Sequence, residues 1–354
     1  DDLRNTLAYQ GREKHQDYFY ANNRSKRSIA LDLKSPRDLD VARALAAEAD
    51  IVTENFAPGT AARLKMGYEN LKAINPKLLY CSISGFGQTG PRRSEPGYDA
   101  VMQGEGGLMS ITGPNEGTPY RLGVAIADIV SGMFAAYGVA MGLLARERTG
   151  RGQYIDVGML DSVAAILTYQ AGICFATGQA PPRLGNQHPT IVPYETLAVA
   201  DGDIVVAVGN DTLFTKFCEV LETPTLAEDV RFATNKGRVE HQDALRPLLA
   251  ERLRTHPRQH WLKALKQAGV PCGAVRDLAE VLSDPQLVER MMVLPMTHPN
   301  AGAVQVIGVP VKMSASPGAV RTPPPVLGQH THRILEKLGY SAADRHALGE
   351  TGVI

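Results

Sequence analysis

Short apolar runs alternate with amphipathic stretches along the first part of the chain. Residues 1–27 are polar and irregular, and "SIALDL" (28–33) then alternates as a strand does. Ser35-Pro36 suits a helix start, with Ser as N-cap and Pro in the first turn. Leu39, Val41, Ala42, Leu45 and Ala46 give that helix one apolar face. A strand over 50–56, a helix through Asn70, Leu71 and Ala73 that ends near Pro76, and a strand over 77–84 follow. Strand and helix alternating at this spacing predict parallel pairing with right-handed crossovers, an α/β fold.

The longest apolar stretch, 122–145, is long enough for a membrane span. It holds Asp128, Ser131 and many small residues and runs into "RER", which points to a core helix buried on all sides and away from a membrane. After Gly150 and Gly152 a strand is expected over 153–160, and Asp161 opens an apolar, Ala-rich helix. An acidic residue at such a junction serves as a helix cap, or as a reactive group held rigidly at a cleft. Beyond Arg183 come a loop, a strand over 202–210, and helices near 213–221, 241–254 and 258–268. The expected domains are 1–182 (large), 183–296 (small), and a Pro-rich segment, 297–354, returning to the large domain and carrying a last helix near 333–338.

The 354 residues balance 37 basic against 37 acidic side chains, so bulk charge offers nothing to nucleic acid or to a membrane surface. Cys81, Cys174, Cys218 and Cys272 are scattered, without metal-ligand spacing, and no signal-peptide pattern opens the chain. Reduced thiols in the cytoplasm, and no metal, are expected. "GFGQTG" (85–90) matches the dinucleotide pattern G-x-G-x-x-G. That motif needs a helix to begin within it, whereas Pro91, Pro96 and Gly97 continue a loop. The glycines instead let backbone approach a ligand or a neighbouring segment closely.

Eight stretches in order along nearly the whole chain carry a resemblance: "NRSKRSIALDLKSP", "ENFAPGTAARLKMGYENLKAINPKLLYCSISGFGQTGP", "PGYDAVMQGEGGLMSITG", "RTGRGQYIDVGMLDSV", "RLGNQHPTIVPYE", "DGDIVVAVGND", "AGVPCGAV" and "VLGQHT". Together they resemble the class III CoA-transferases, the formyl-CoA transferase or CaiB/BaiF family. The resemblance implies a Rossmann-like large domain joined to a smaller one, in an interlocked homodimer. It places the catalytic aspartate at Asp161 and support beside it at Tyr98 and Asp99. Leu31, Lys34, Asn55, Phe56, Arg63 and Leu64 match CoA-binding positions. Coenzyme A is then a substrate, no further cofactor is needed, and the partners are acyl-CoA and small carboxylic acids. "GNQHPT" (185–190) is similar to the branch that uses succinyl-CoA and dicarboxylic acids.

The implied chemistry is attack by Asp161 on the donor thioester to give an aspartyl anhydride. CoA thiolate returns to give an aspartyl-CoA thioester, and CoA then passes to the acceptor acid. Three rivals stand beside it. An α-methylacyl-CoA racemase needs a histidine where this chain has Tyr98. A hydride-transferring oxidoreductase rests on "GFGQTG" alone. A CoA-binding fragment without catalysis is suggested by the start of the chain, which falls after the family's opening strand and helix, where a glutamine next to the reacting carbonyl is expected.

Overall fold

The structure, a computed structural model, describes residues 17–349, so most of the irregular opening lies outside the described residues. Inter-residue contacts divide the chain into two units, one of 1–82, 137–156 and 277–354, the other of 83–136 and 157–276. This grouping differs from the expected 1–182, 183–296 and 297–354. Residues 83–136 go with the later stretch, and 277–296 with the first unit.

In the first unit, β1 (Ile51–Glu54), β2 (Leu79–Ser84) and β3 (Gln153–Gly158) form one sheet with β2 in the middle. The last two residues of β2 and of β3 count with the second unit. β1 and β2 pair in parallel, Ile51 beside Leu79 through Glu54 beside Ser82. A central strand is covered on both faces, and accordingly β2 is buried along its length except at Ile83. The crossover contains the helix Tyr68–Lys72, whose buried Leu71 packs with Ala46, Leu78 and Tyr80. The helix Pro36–Glu48 starts as expected, Ser35 accepting a hydrogen bond from the Asp38 N–H with Pro36 in the first turn.

The strand expected over 28–33 is absent, because other partners take its backbone groups. Ser28 N–H donates to His330 Nδ1 (3.1 Å), Ala30 N–H to Thr331 Oγ1 (3.2 Å), and His330 N–H to the Ser28 carbonyl (2.9 Å). The helix Thr331–Lys337 completes the contact, with Leu335 packed on Val41. The Pro-rich reading also passed over a hairpin of β7 (Val293–His298) and β8 (Gly302–Ile307). Its turn is tied by His298 Nδ1, which accepts from the N–H groups of Asn300 and Ala301.

The second unit carries an antiparallel sheet of β4 (Tyr194–Val199), β5 (Gly202–Ala207) and β6 (Cys272–Ala274), in that order. Leu197, Val199, Ile204 and Val206 point inward at alternate positions. They share a core with Phe214, Phe217, Leu249 and Trp261 from the helices Asp211–Val220, Gln242–Leu253 and Arg258–Gln267. Truncating one such leucine to alanine costs about 2–5 kcal/mol.

The helix Ile126–Thr149 corrects the expectation of burial on all sides. Met133 and Tyr137 are each 66% exposed, and Ile129, Phe134, Met141 and Leu144 are exposed as well. By length and composition this helix could cross a membrane. Within one chain its neighbours are too few to cover every face of an apolar cylinder.

Candidate active site

The expected CoA-binding positions all fall in the first unit, at strand and helix ends. β1 runs into the turn Asn55-Phe56, where both residues are exposed. Glu54 holds this turn: one carboxylate oxygen accepts the Phe56 N–H at 2.7 Å and the other accepts the Ser82 hydroxyl of β2. The short helix Thr60–Arg63 follows, with the exposed Arg63 donating to Thr60 Oγ1 at 2.7 Å, and Leu64 closes it. Lys34 is exposed at the turn before the helix Pro36–Glu48, its N–H donating to Asp32 Oδ1 at 2.9 Å. Asp32 is fixed in turn, since its own N–H donates to the buried Asp38. Leu31 packs with the cluster of Val41 and Leu335. Arg43 of the same helix reaches the Lys65 carbonyl, next to Leu64 (3.5 Å).

Asp161, Tyr98 and Asp99 fall in the second unit. β3 ends at Gly158 and the helix Met159–Ala165 begins, so Asp161 sits in its first turn while Gly158 takes the N-cap position. No side-chain cap bond forms at this end, and Asp161 is exposed. The capping role that its position suggested is therefore not what it does. Met159 and Val163, buried with Met102 and Ala127, anchor the opposite side of the helix.

Around Asp161 the backbone is brought in by glycines. The Leu160 N–H donates to the Gly85 carbonyl at 2.9 Å, which pins the start of the "GFGQTG" loop to the aspartate-bearing helix. Gly85 and Gly97 lie against each other, so closely that a Cβ on Gly97 would stand 2.5 Å from Gly85 Cα. A Cβ on Gly158 would stand 2.8 Å from Asp161 Oδ2 and 3.2 Å from the Gly87 nitrogen. No helix begins within the loop, and the next one is Asp99–Glu105. The dinucleotide geometry is thus missing, and the glycines serve close approach. Arg92 closes the loop through ion pairs to Glu95 (2.7 Å) and Glu105 (3.0 Å), and its guanidinium lies over the Phe86 ring.

Gly97 leads into Tyr98, 77% exposed at the N-cap of Asp99–Glu105. Asp99 is committed to structure. Its Oδ1 accepts the Ala127 N–H (2.9 Å) at the start of the long helix, and its Oδ2 accepts from Gln103 Nε2 (2.8 Å). Nearby, Asp128 has its carboxyl raised above the ordinary range, first by burial and then by the charge of Asp99. The contacts between Gly85 and Gly97 and between Gly158 and Asp161 were not read from sequence. Their only signal was the density of glycines in the flanking segments.

Further along the same unit, Tyr169, Gln170, Gly185 and Gln187 line a polar pocket of about 250 Å³. Beside it His188 stacks on Tyr169 and lies tilted against Tyr194, and its Nδ1 accepts the Thr190 N–H at 3.2 Å.

The family model for CoA-transferase family III matches residues 1–331. Succinyl-CoA:glutarate CoA-transferase of Mus musculus is 39% identical over 338 residues, covering 95% of this chain and 78% of its own. Acetyl-CoA:oxalate CoA-transferase of Acetobacter aceti is 41% identical over 315 residues, covering 89% and 79%. The crystal structure of a CaiB/BaiF family protein from Brucella suis superposes with a TM-score of 0.82 at 40% identity, covering 94% and 86%. A chain matched along most of its length by this family's model, by relatives at such identity and by a solved fold belongs to CoA-transferase family III.

Proposed function

We propose that this enzyme moves CoA from a succinyl-CoA-like donor to a dicarboxylic acid through covalent intermediates on Asp161. The observation that carries the reading is an exposed carboxylate on a rigid strand-to-helix junction, free of any capping duty and walled by glycine backbone. A carboxylate nucleophile suits the exchange because anhydride and thioester are similarly reactive, so no intermediate falls into a deep well. The dicarboxylate preference is supported by the names of relatives that act on glutarate, citramalate and mesaconate.

In this reading Leu31, Lys34, Asn55, Phe56, Arg63 and Leu64 hold the CoA moiety, with Lys34 and Arg63 supplying charge for its phosphates. Tyr98 and Asp99 act in support, Asp99 by fixing a helix start. The exposed apolar face of Ile126–Thr149 supports a homodimer in which a second copy covers it. Free thiols at all four cysteines fit a cytoplasmic enzyme.

The test is to incubate the full-length protein with succinyl-CoA, trap with hydroxylamine, and map the product by mass spectrometry. A hydroxamate on Asp161 that requires acyl-CoA is expected, with exchange abolished in Asp161→Ala. An unmodified Asp161 across a panel of acyl-CoAs, in protein shown to bind them, refutes the covalent route.

A further inference from the structure

We propose that the backbone N–H of Gly87 is the oxyanion donor for those steps in which the carboxyl carbon of Asp161 is itself attacked. The inference rests on the covalent-aspartate reading and assigns a donor within it. The Gly87 nitrogen and Asp161 Oδ2 both lie within 3.2 Å of the point that a Cβ on Gly158 would occupy. Gly87 is buried, and no acceptor is found for its N–H among the described residues. A buried amide without a partner is costly, and an anion formed beside it relieves that cost. The loop is held in place by the bond from Leu160 to Gly85 and by Arg92. Its φ of +81° at Gly87 favours glycine there.

The geometry separates the steps of the reaction. When Asp161 first attacks the donor thioester, the new oxyanion sits on the donor carbonyl. A hydrogen bond to the aspartate oxygen gives no help there. When CoA thiolate then attacks the aspartyl carbon of the anhydride, a C–S bond forms and the carbonyl π pair moves onto the Asp161 oxygen. Collapse of that adduct expels the donor carboxylate. The acceptor carboxylate attacks the same carbon, placing charge on the same oxygen, and CoA thiolate leaves. In both steps the charge develops on the Asp161 carboxyl, whose Oδ2 borders the same point at Gly158 as the Gly87 nitrogen does, and a donor held there by the loop has its effect as the adduct forms. In the last step CoA attacks the acceptor acyl carbon, and Asp161 leaves as a carboxylate.

The cleanest test removes only the N–H. Incorporating glycolic acid in place of Gly87 turns that amide into an ester, in the full-length protein made by suppressor-tRNA translation. Single-turnover rates are then read by quenched mass spectrometry, first for loading of Asp161 as its succinyl anhydride and then for discharge of that adduct through the CoA thioester to glutarate. Discharge is expected to slow about 100-fold while loading changes little, so that the covalent adduct accumulates. A matching ester at Gly90, which has open space around it in the same loop, is expected to leave both rates unchanged. Gly158→Ala presses a methyl against both the carboxylate and the Gly87 nitrogen and should show the same accumulation. Equal slowing of loading and discharge, or unchanged discharge in the Gly87 ester, overturns the assignment. Absence of any adduct in the unmodified protein refutes the covalent reading instead, and this assignment with it.

Discussion

A single methyl added at Gly97 sets one backbone against another. Its Cβ would lie 2.5 Å from Gly85 Cα and 3.3 Å from Met102 Cε. Carbon atoms rest at roughly 3.5–4.0 Å, so Gly85 and Gly97 must part by about 1 Å. The methionine can turn aside, but the Gly85 backbone cannot, because its carbonyl holds the Leu160 N–H one residue before Asp161. Overpacking of this kind costs about 1–3 kcal/mol of stability. A misplacement of about 1 Å at a reacting group costs on the order of 100-fold in rate, so Gly97→Ala should fold and lose most of its turnover. The assay is steady-state CoA exchange between succinyl-CoA and glutarate, beside a thermal melt. Gly90→Ala is the control, since that residue has φ +82° but nothing within 4 Å to press upon. It should lose some stability and keep its kcat. A folded Gly97→Ala protein with unchanged kcat would show that this contact does not position Asp161.

Three further outcomes are expected. Asp99→Ala should cost about 1–3 kcal/mol in urea unfolding, because the Ala127 N–H and Gln103 each lose an acceptor. Asp99→Asn should recover only part of this, since its amide faces Gln103 Nε2 while Gln103 Oε1 is already taken by the Leu122 N–H (2.9 Å). Met133→Glu, on the exposed apolar face of the long helix, should shift the protein toward monomer in light scattering; an unchanged dimer would remove this face from the interface. Burial pushes the Cys218 thiol up to about 12, partly offset by Arg238. Near pH 8.5, where a free thiol is about half ionised, iodoacetamide should therefore leave Cys218 untouched until denaturant is added. Because the folded value is raised, that thiol's contribution to stability is complete below 9.0 and is lost as pH rises toward 12.

Local pattern alone carried the α/β class, the parallel β1–β2 pair, the Ser35 cap, and the helices that build the core of the second unit. These depend on periodicity and capping, which act between residues close in the chain. The residues expected at the site came from the ordered run of family-like stretches, since an aspartate before an apolar helix has no distinctive local signature. Tertiary structure decided matters of long-range competition. The stretch 28–33 alternates like a strand, yet its amides are claimed by residues some 300 positions later. The helix Ile126–Thr149 is apolar along most of its length, but whether a side is covered depends on neighbours that sequence does not count. Asp99 is a carboxylate in sequence and a staple in space, because Ala127 and Gln103 meet it there. The approach of Gly87 to Gly158, beside Asp161, joins segments about 70 residues apart, and only the folded backbone brings them together.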